Sequence, residues 1–597
     1  MRSPTVNDQP RGGKEVAIAT PQKFVRLGAT ARSARGKEFV CLSLLTLALL
    51  LPFVDKPLHV DDPVYVWTAQ HIVAHPLDFY GLSVNWFKTT ESIAALQQNP
   101  PGVSYWLAIV GALFGWSEPA MHCGMLVPPV FAVIGVWLLA RRLGAPPTPA
   151  SMTLLAMPGF LVSSTTLMAD VLATAFWTWA VLAWVVGLQE RKFGWLAAGA
   201  LLVSLCILTK YVGLGLIPLL FTYTLAKYRR FELGGSLLLL VPLAITLVYR
   251  ARMISRYGVD PFAAASSYSQ HERPWASTTI ELPWTGLIFL GGTFLPALLL
   301  STWIFGKWFS AFSIVFILLV VAALLGMQTL AHCPLRTSEG PRWGLVTQLA
   351  LFTLSGALVF ASIIKHMVQR PSAEAILLGL WVCGLFAFAS VVNWSTNTRA
   401  LLPAAPAVAI LLAAEVRVPR ARVFGLSPGP LAMLGIGLLV GLFVAQADQA
   451  LAQSKRNAAI EIARGRLRGG HPLWYQGSWG FQYYMDLEGA RKVDWNHVEV
   501  SPGDEMVEGY STGVDIQLLP PVAVRPVAHY QVAVRALAST MSTEAGAGFY
   551  SDRFGPAPYV FGFPPDEVYF ILAFQTRVVV KNGFLYPDLH PGTEAPH

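Results

Sequence analysis

Charge is what this chain has least of. Only 13% of its 597 residues are Asp, Glu, Lys or Arg, against about 25% in a typical soluble domain. Hydrophobic residues make up 54%, and the mean hydropathy is +0.51. That combination excludes an ordinary soluble globular protein and points to a polytopic membrane protein. Cysteine is also scarce, with five residues: Cys41, Cys123, Cys206, Cys333 and Cys383. None forms a CxxC pair or a His/Cys metal spacing, and all but Cys333 sit in apolar runs, where a thiol behaves as a small hydrophobe. The C-terminal region has no cysteine, so it must fold without disulfides. No internal repeat or low-complexity segment stands out. The net charge of +9 does not suggest nucleic acid, because much of it lies in an N-terminal tail and short loops, where orientation signals belong.

Against that poverty of charge, the adjacent carboxylates Asp61 and Asp62 are conspicuous. They follow the first apolar run, and ionisable groups at a membrane are functional candidates by default. A structural explanation stands beside this one. Asp before Pro63, with Pro at the first helical position, is a good helix start.

Topology decides what the pair faces. Residues 1–38 read as a disordered basic cytosolic tail, carrying eight Lys or Arg residues against Asp8, Glu15 and Glu38. Apolar runs are expected to span at about 39–54, 119–140, 149–164, 167–188, 193–209, 211–226, 232–249, 284–304, 308–330, 344–364, 372–394, 400–414 and 428–447. A shorter run, about 103–116, reads as a juxtamembrane helix, which leaves Arg141-Arg142 inside. Every expected cytosolic turn then carries Lys or Arg, including Lys307 and Arg417 to Arg422. The count is about thirteen spans. The outer face then holds loops 55–102 and 251–283, and everything after about 450. In that tail, Pro472–Tyr475, Glu567–Leu572 and Thr576–Val580 read as strands.

The outer face collects the remaining polar candidates. Asn99-Pro100-Pro101-Gly102 reads as a rigid turn before the juxtamembrane helix. Asp170 opens a span, where the helix macrodipole alone would favour it. Lys210, Arg250, Arg252, Arg256 and Arg399 lie outside against the positive-inside bias, which favours an anionic partner. Arg suits phosphate by its bidentate geometry. His271-Glu272-Arg273 lies in the second outer loop, where a solvated loop is the plain alternative. Carboxylates suit a general base for a hydroxyl or amine nucleophile. Cations suit a phosphate leaving group at the lipid surface. Together they suggest transfer of a group from a lipid phosphate.

Several of these stretches recur in order in a known group of enzymes. They are Asp61-Asp62-Pro63, Asn99-Pro100-Pro101-Gly102, Arg141-Arg142-Leu143, Asp170-Val171-Leu172-Ala173, Leu208-Thr209-Lys210 and Arg399-Ala400-Leu401-Leu402-Pro403. In this order the chain resembles the GT-C membrane glycosyltransferases, among them protein O-mannosyltransferases and bacterial aminoarabinose transferases. The run Trp474 to Tyr484 is similar to the extramembrane tails of some bacterial members. Two departures stand out. The family pattern has Asp-Glu where this chain has Asp61-Asp62, and often His-Pro-Pro where it has Asn99-Pro100-Pro101.

The resemblance implies an α-helical polytopic membrane protein of GT-C type. Residues 39–449 would form the catalytic transmembrane domain, and 450–597 a small extracytoplasmic α/β domain. The donor would be a polyprenyl-phosphate sugar and the acceptor a lipid, glycan or protein. The location would be the outer face of a bacterial inner membrane, with the N-terminus cytosolic. By the same resemblance Asp61 is the acceptor-activating base or sits beside it, and Lys210 and Arg399 contact the lipid phosphate, with Arg250, Arg252 or Arg256 assisting. Asp170 would orient the acceptor or another group of the site, and Asp62 is a further catalytic candidate whose role the resemblance leaves open because it is shorter than the family's Glu. Relatives differ in their need for a divalent cation, so a metal stays open. The rival reading is a transporter or flippase for a lipid-linked or polar solute. Transporters place ionisable groups near the bilayer midplane and often show inverted repeats; here no repeat is visible and the polar set lies on one face.

Overall fold

Proline decides where several apolar runs break. In the computed structural model of the protein, the run expected at 149–164 is two helices, Pro147–Leu155 and Pro158–Ser163, each opening on a proline. The run at 284–304 is three, Glu281–Thr293, Pro296–Leu299 and Ser301–Phe305. Pro at a first helical turn loses nothing, whereas inside a helix it removes a hydrogen bond and clashes. The structure describes residues 29–597 apart from 98, 230–232, 274–280, 307, 417–424, 468–470, 511–515, 582–583 and 588–597.

Among the described residues, eight helices are long and apolar enough to cross a membrane, judged by length and composition. Three shorter apolar helices accompany them, Gly102–Phe114, Phe193–Thr209 and Ala311–Gly326. The protein is therefore an integral membrane protein built of helices. Several of the other expected runs are broken into shorter helices, so they do not appear among these eight. Residues 1–28 of the expected tail, Lys307 and the turn Arg417 to Arg422 lie outside the described residues.

The chain divides into two units, Met1–Cys41 and Leu42–His597. Within the first, helix begins at Ala29, ten residues earlier than the apolar run suggests. In the second, helices Glu281–Thr293 and Trp343–Gln369 pack through glycine. A Cβ on Gly291 would lie 1.9 Å from the Phe352 carbonyl oxygen, and one on Gly356 2.2 Å from that of Leu287. Small residues permit such close approach where helices meet in lipid.

The helix Pro428–Arg466 runs on for 39 residues and ends among the strands. Beyond it lies a five-stranded mixed sheet in the order 524–532, 567–574, 505–509, 473–476 and 491–492. Strand 505–509 is antiparallel to 567–574 and parallel to 473–476. The helix Trp479–Leu487 covers it, and a three-stranded antiparallel sheet, 584–587, 578–581 and 497–500, stands beside it. The expected strands thus lie where the apolar alternation placed them. Trp479, Phe549, Tyr550 and Tyr559 share one buried cluster with Val64, Val103 and Leu349 of the helical part.

Candidate functional site

The carboxylate pair separates at the start of the helix Asp62–Ala74. Successive residues at a helix start point in different directions, and here the two side chains part completely. Asp62 turns inward and is fully buried. Its Oδ2 accepts the His59 N–H at 3.0 Å and its Oδ1 accepts the Leu167 N–H at 2.9 Å. Burial pushes its carboxyl up to about 7. Asp62 is not among the cavity-lining residues.

Asp61 faces a cavity of about 590 Å³. Its Oδ2 accepts from Arg399 Nη1 at 2.9 Å, and Arg399 Nε donates to Asp170 Oδ2 at 2.8 Å. Lys210 Nζ donates to the other oxygen of Asp170. Four residues from four parts of the chain thus form one alternating line, Asp61–Arg399–Asp170–Lys210. Asp170 begins the helix Asp170–Glu190, and Lys210 ends the helix Phe193–Thr209. Arg399 is carried by the short helix Thr398–Leu401, which Asn397 caps by accepting the Ala400 N–H at 2.8 Å. Asp170 is 1% exposed at its side chain and Asp61 36%. The buried acid therefore fixes the cations, while the more exposed Asp61 lies on the cavity wall.

Tyr65, Asn99, Tyr211, Trp86, Trp394 and Tyr550 line the same cavity. The Asn99 carbonyl accepts from the Tyr80 hydroxyl at 2.5 Å. A second, largely apolar groove of about 410 Å³ shares Tyr211, Val212 and Phe388 with it and continues along Trp177, Leu219 and Trp381.

The other candidate cations pair away from the cavity. Arg250 pairs with Asp260 at 2.5 Å, Arg256 with Asp78 at 3.1 Å, and Arg252 donates to the Leu77 carbonyl at 3.1 Å. They brace the segments 77–78 and 250–260 and are not among the cavity-lining residues. Arg273 binds Asp552 at 2.6 Å and the carbonyls of Ser390 and Asn393 at 3.0 and 3.2 Å, a structural role. Glu272 pairs with Arg553, and His271 is exposed at the end of its helix. None of these three lines the cavity.

Sequence reasoning missed Lys56 and Asp448. Both are fully buried and pair at 2.6 Å. Asp448 also accepts from the hydroxyls of Tyr550 and Thr540, each at 2.7 Å. The signal was present. Lys56 is a cation just after the first apolar run, and Asp448 is a carboxylate ending a later one. Among the described residues, no group of three or more His, Cys, Asp or Glu side chains could hold a metal ion.

These features define a class, an integral membrane protein with a carboxylate and cation site beside an apolar groove. Residues 98–252 match the family model described as dolichyl-phosphate-mannose-protein mannosyltransferase. Over that segment the chain is similar to membrane glycosyltransferases of GT-C type. No curated protein matches the chain. Among solved structures, ArnT from Cupriavidus metallidurans bound to undecaprenyl phosphate is 16% identical, with 82% of this chain and 97% of that one covered and a TM-score of 0.49. The oligosaccharyltransferase AglB from Archaeoglobus fulgidus, in complex with an inhibitory peptide and a dolichol-phosphate, is 12% identical over 78% of this chain and 65% of that one, with a TM-score of 0.46. The arabinofuranosyltransferase AftD from Mycobacteria is 13% identical over 89% of this chain and 40% of that one, with a TM-score of 0.35. At these scores the likenesses are loose, and the reading of the site rests on its own geometry.

Proposed function

We propose that the protein is a GT-C glycosyltransferase that moves a sugar from a polyprenyl-phosphate donor to an acceptor at the outer face of a bacterial inner membrane. The observation that carries this reading is the line Asp61–Arg399–Asp170–Lys210 on the cavity wall. The family matching residues 98–252 is itself named for a lipid-phosphate sugar donor.

The chemistry follows from the charges. The lipid chain lies in the apolar groove and its phosphate at Lys210 and Arg399. Fixed cations stabilise negative charge as it gathers on a departing phosphate. Asp61 takes the proton from the acceptor hydroxyl or amine as it attacks the anomeric carbon from the face opposite the phosphate, which inverts that centre. Asp170 holds the two cations in place. Lipid, glycan and protein acceptors all fit this chemistry. The test is release of polyprenyl phosphate from a synthetic polyprenyl-phosphate sugar by the purified protein, with Asp61→Asn and Lys210→Ala beside it. Normal turnover in both variants would sink the assignment.

A further inference from the structure

Val60, immediately before Asp61, has φ +48°. The left-handed region is sparsely populated by residues other than Gly, and a β-branched side chain there is an outlier. Such a conformation persists only where the surroundings over-determine it, and it clusters at functional sites. Val60 is buried, and most of the contacts that hold its turn come from distant parts of the chain.

Four of them act before Val60. Lys56 Nζ binds Asp448 at 2.6 Å and donates to Thr165 Oγ1 at 3.1 Å. His122 Nε2 bonds the Lys56 carbonyl at 2.9 Å. The Leu58 N–H donates to the Tyr484 hydroxyl at 2.9 Å, and that hydroxyl donates to Glu118. The helix Trp479–Leu487 also lies flat against the turn, because a Cβ on Gly480 would sit 2.1 Å from the Leu58 carbonyl oxygen. After Val60, the bonds of Asp62 to His59 and Leu167 fix the other side. Tyr550 extends the same network to the cavity wall through Asp448.

We propose that Lys56, Asp448 and Tyr484 are positioning residues that hold the Val60 turn in its left-handed form and thereby aim Asp61 at the cavity. Freed of these contacts, Val60 relaxes to negative φ and rotates the peptide that carries Asp61. The inference rests on the reading of Asp61 as the acceptor-activating base. It adds a role for the C-terminal region, whose helix Trp479–Leu487 supplies one arm of the clamp.

Glycine separates positioning from mere stability, since it adopts positive φ without steric cost. Tyr484→Phe and Lys56→Met each remove one arm in the full-length protein, and Val60→Gly is then added to each. Two measurements are made, hydrogen–deuterium exchange of the amides of residues 57–62 and release of undecaprenyl phosphate from synthetic undecaprenyl-phosphate mannose. Each single variant should speed exchange in this segment by about tenfold or more. It should lower kcat by about tenfold to 100-fold, with KM for the donor within about twofold. Adding Val60→Gly should restore most of kcat. Unchanged exchange in both single variants overturns the proposal, as does a kcat loss that Val60→Gly leaves in place. A wild-type chain that releases no undecaprenyl phosphate would instead count against the function reading, and the exchange result would still decide whether the clamp exists.

Discussion

Asp61→Asn and Asp62→Asn should fail in opposite ways, although the two residues are neighbours of the same type. Asp61 is 36% exposed at its side chain and pairs with Arg399 at 2.9 Å. An ion pair this open is worth about 0–1 kcal/mol, and Asn can still accept that hydrogen bond. Stability should therefore hardly change. Activity should fall by about 10²–10⁴-fold, the usual contribution of a general base, which is about 3–5 kcal/mol of barrier. Asp62 has the reverse profile. It is fully buried and accepts two backbone N–H groups. An Asn carboxamide offers one oxygen, so one buried N–H loses its acceptor and faces an NH₂ group instead. The cost is about 1–3 kcal/mol, seen as a lower melting temperature, with kcat largely kept in the protein that remains folded. The assay pairs detergent-solubilised melting curves with sugar transfer, each corrected for folded fraction. Asp61→Asn retaining more than about a tenth of wild-type kcat refutes the base assignment. Equal loss of activity at both positions refutes the division of labour.

Lys210→Met should weaken binding of undecaprenyl phosphate by about 10–150-fold, from the loss of one charged hydrogen bond worth about 1.5–3 kcal/mol; an unchanged Kd in a titration would remove Lys210 from the phosphate site. Gly384 lines the apolar groove, and a Cβ there meets nothing within 4 Å, so Gly384→Leu should fill the groove, raise KM for long-chain donors and spare short-chain ones. The buried Asp62 carboxyl, pushed up to about 7, lies above its value in the unfolded chain. The folded state therefore takes up the proton, and the stabilisation this gives is present at low pH and lost as pH rises toward 7. The melting-temperature gap between wild type and Asp62→Asn should accordingly narrow from pH 5 to pH 8, and a constant gap would refute the raised pKa.

The helical membrane architecture is readable from apolar run length alone. Counting spans is harder, because runs such as 149–164 contain prolines that break one apolar stretch into two helices. At the site, residue type identified Asp61, Asp170, Lys210 and Arg399 as exceptions to membrane composition. Their convergence is not a local property, since it joins positions up to 338 residues apart. The same rule selected Arg250 and Arg256, which the fold instead pairs with Asp260 and Asp78. Positive-inside bias identifies a cation that needs a partner, and it does not say whether the partner is a protein carboxylate or a ligand. Asp62 shows a related limit. Sequence places it beside Asp61, and only the direction of the helix start sends it to the backbone of Leu167.

The two segments that bring opposite charges together are both contacted by the C-terminal region. One is the turn 55–61, held by Tyr484 of that region and by Asp448 just before it. The other is the turn 393–398, which leads into Arg399. There the Thr398 N–H donates to the Phe549 carbonyl at 3.2 Å, and the Asp552 N–H donates to the Thr396 carbonyl at 2.9 Å. Arg273, paired with Asp552, binds the Ser390 and Asn393 carbonyls of the same stretch. An Arg that must hold Asp61 and Asp170 at once tolerates little backbone drift, because charged hydrogen bonds weaken steeply with distance and angle. The bundle supplies the charged side chains, and residues after 450 supply much of the rigidity that keeps them in register. A catalytic membrane domain ending at 449 would keep Asp61, Asp170, Lys210, Arg399 and Asp448 yet lose the Tyr484 contact to the turn before Asp61 and the Phe549 and Asp552 contacts to the turn before Arg399.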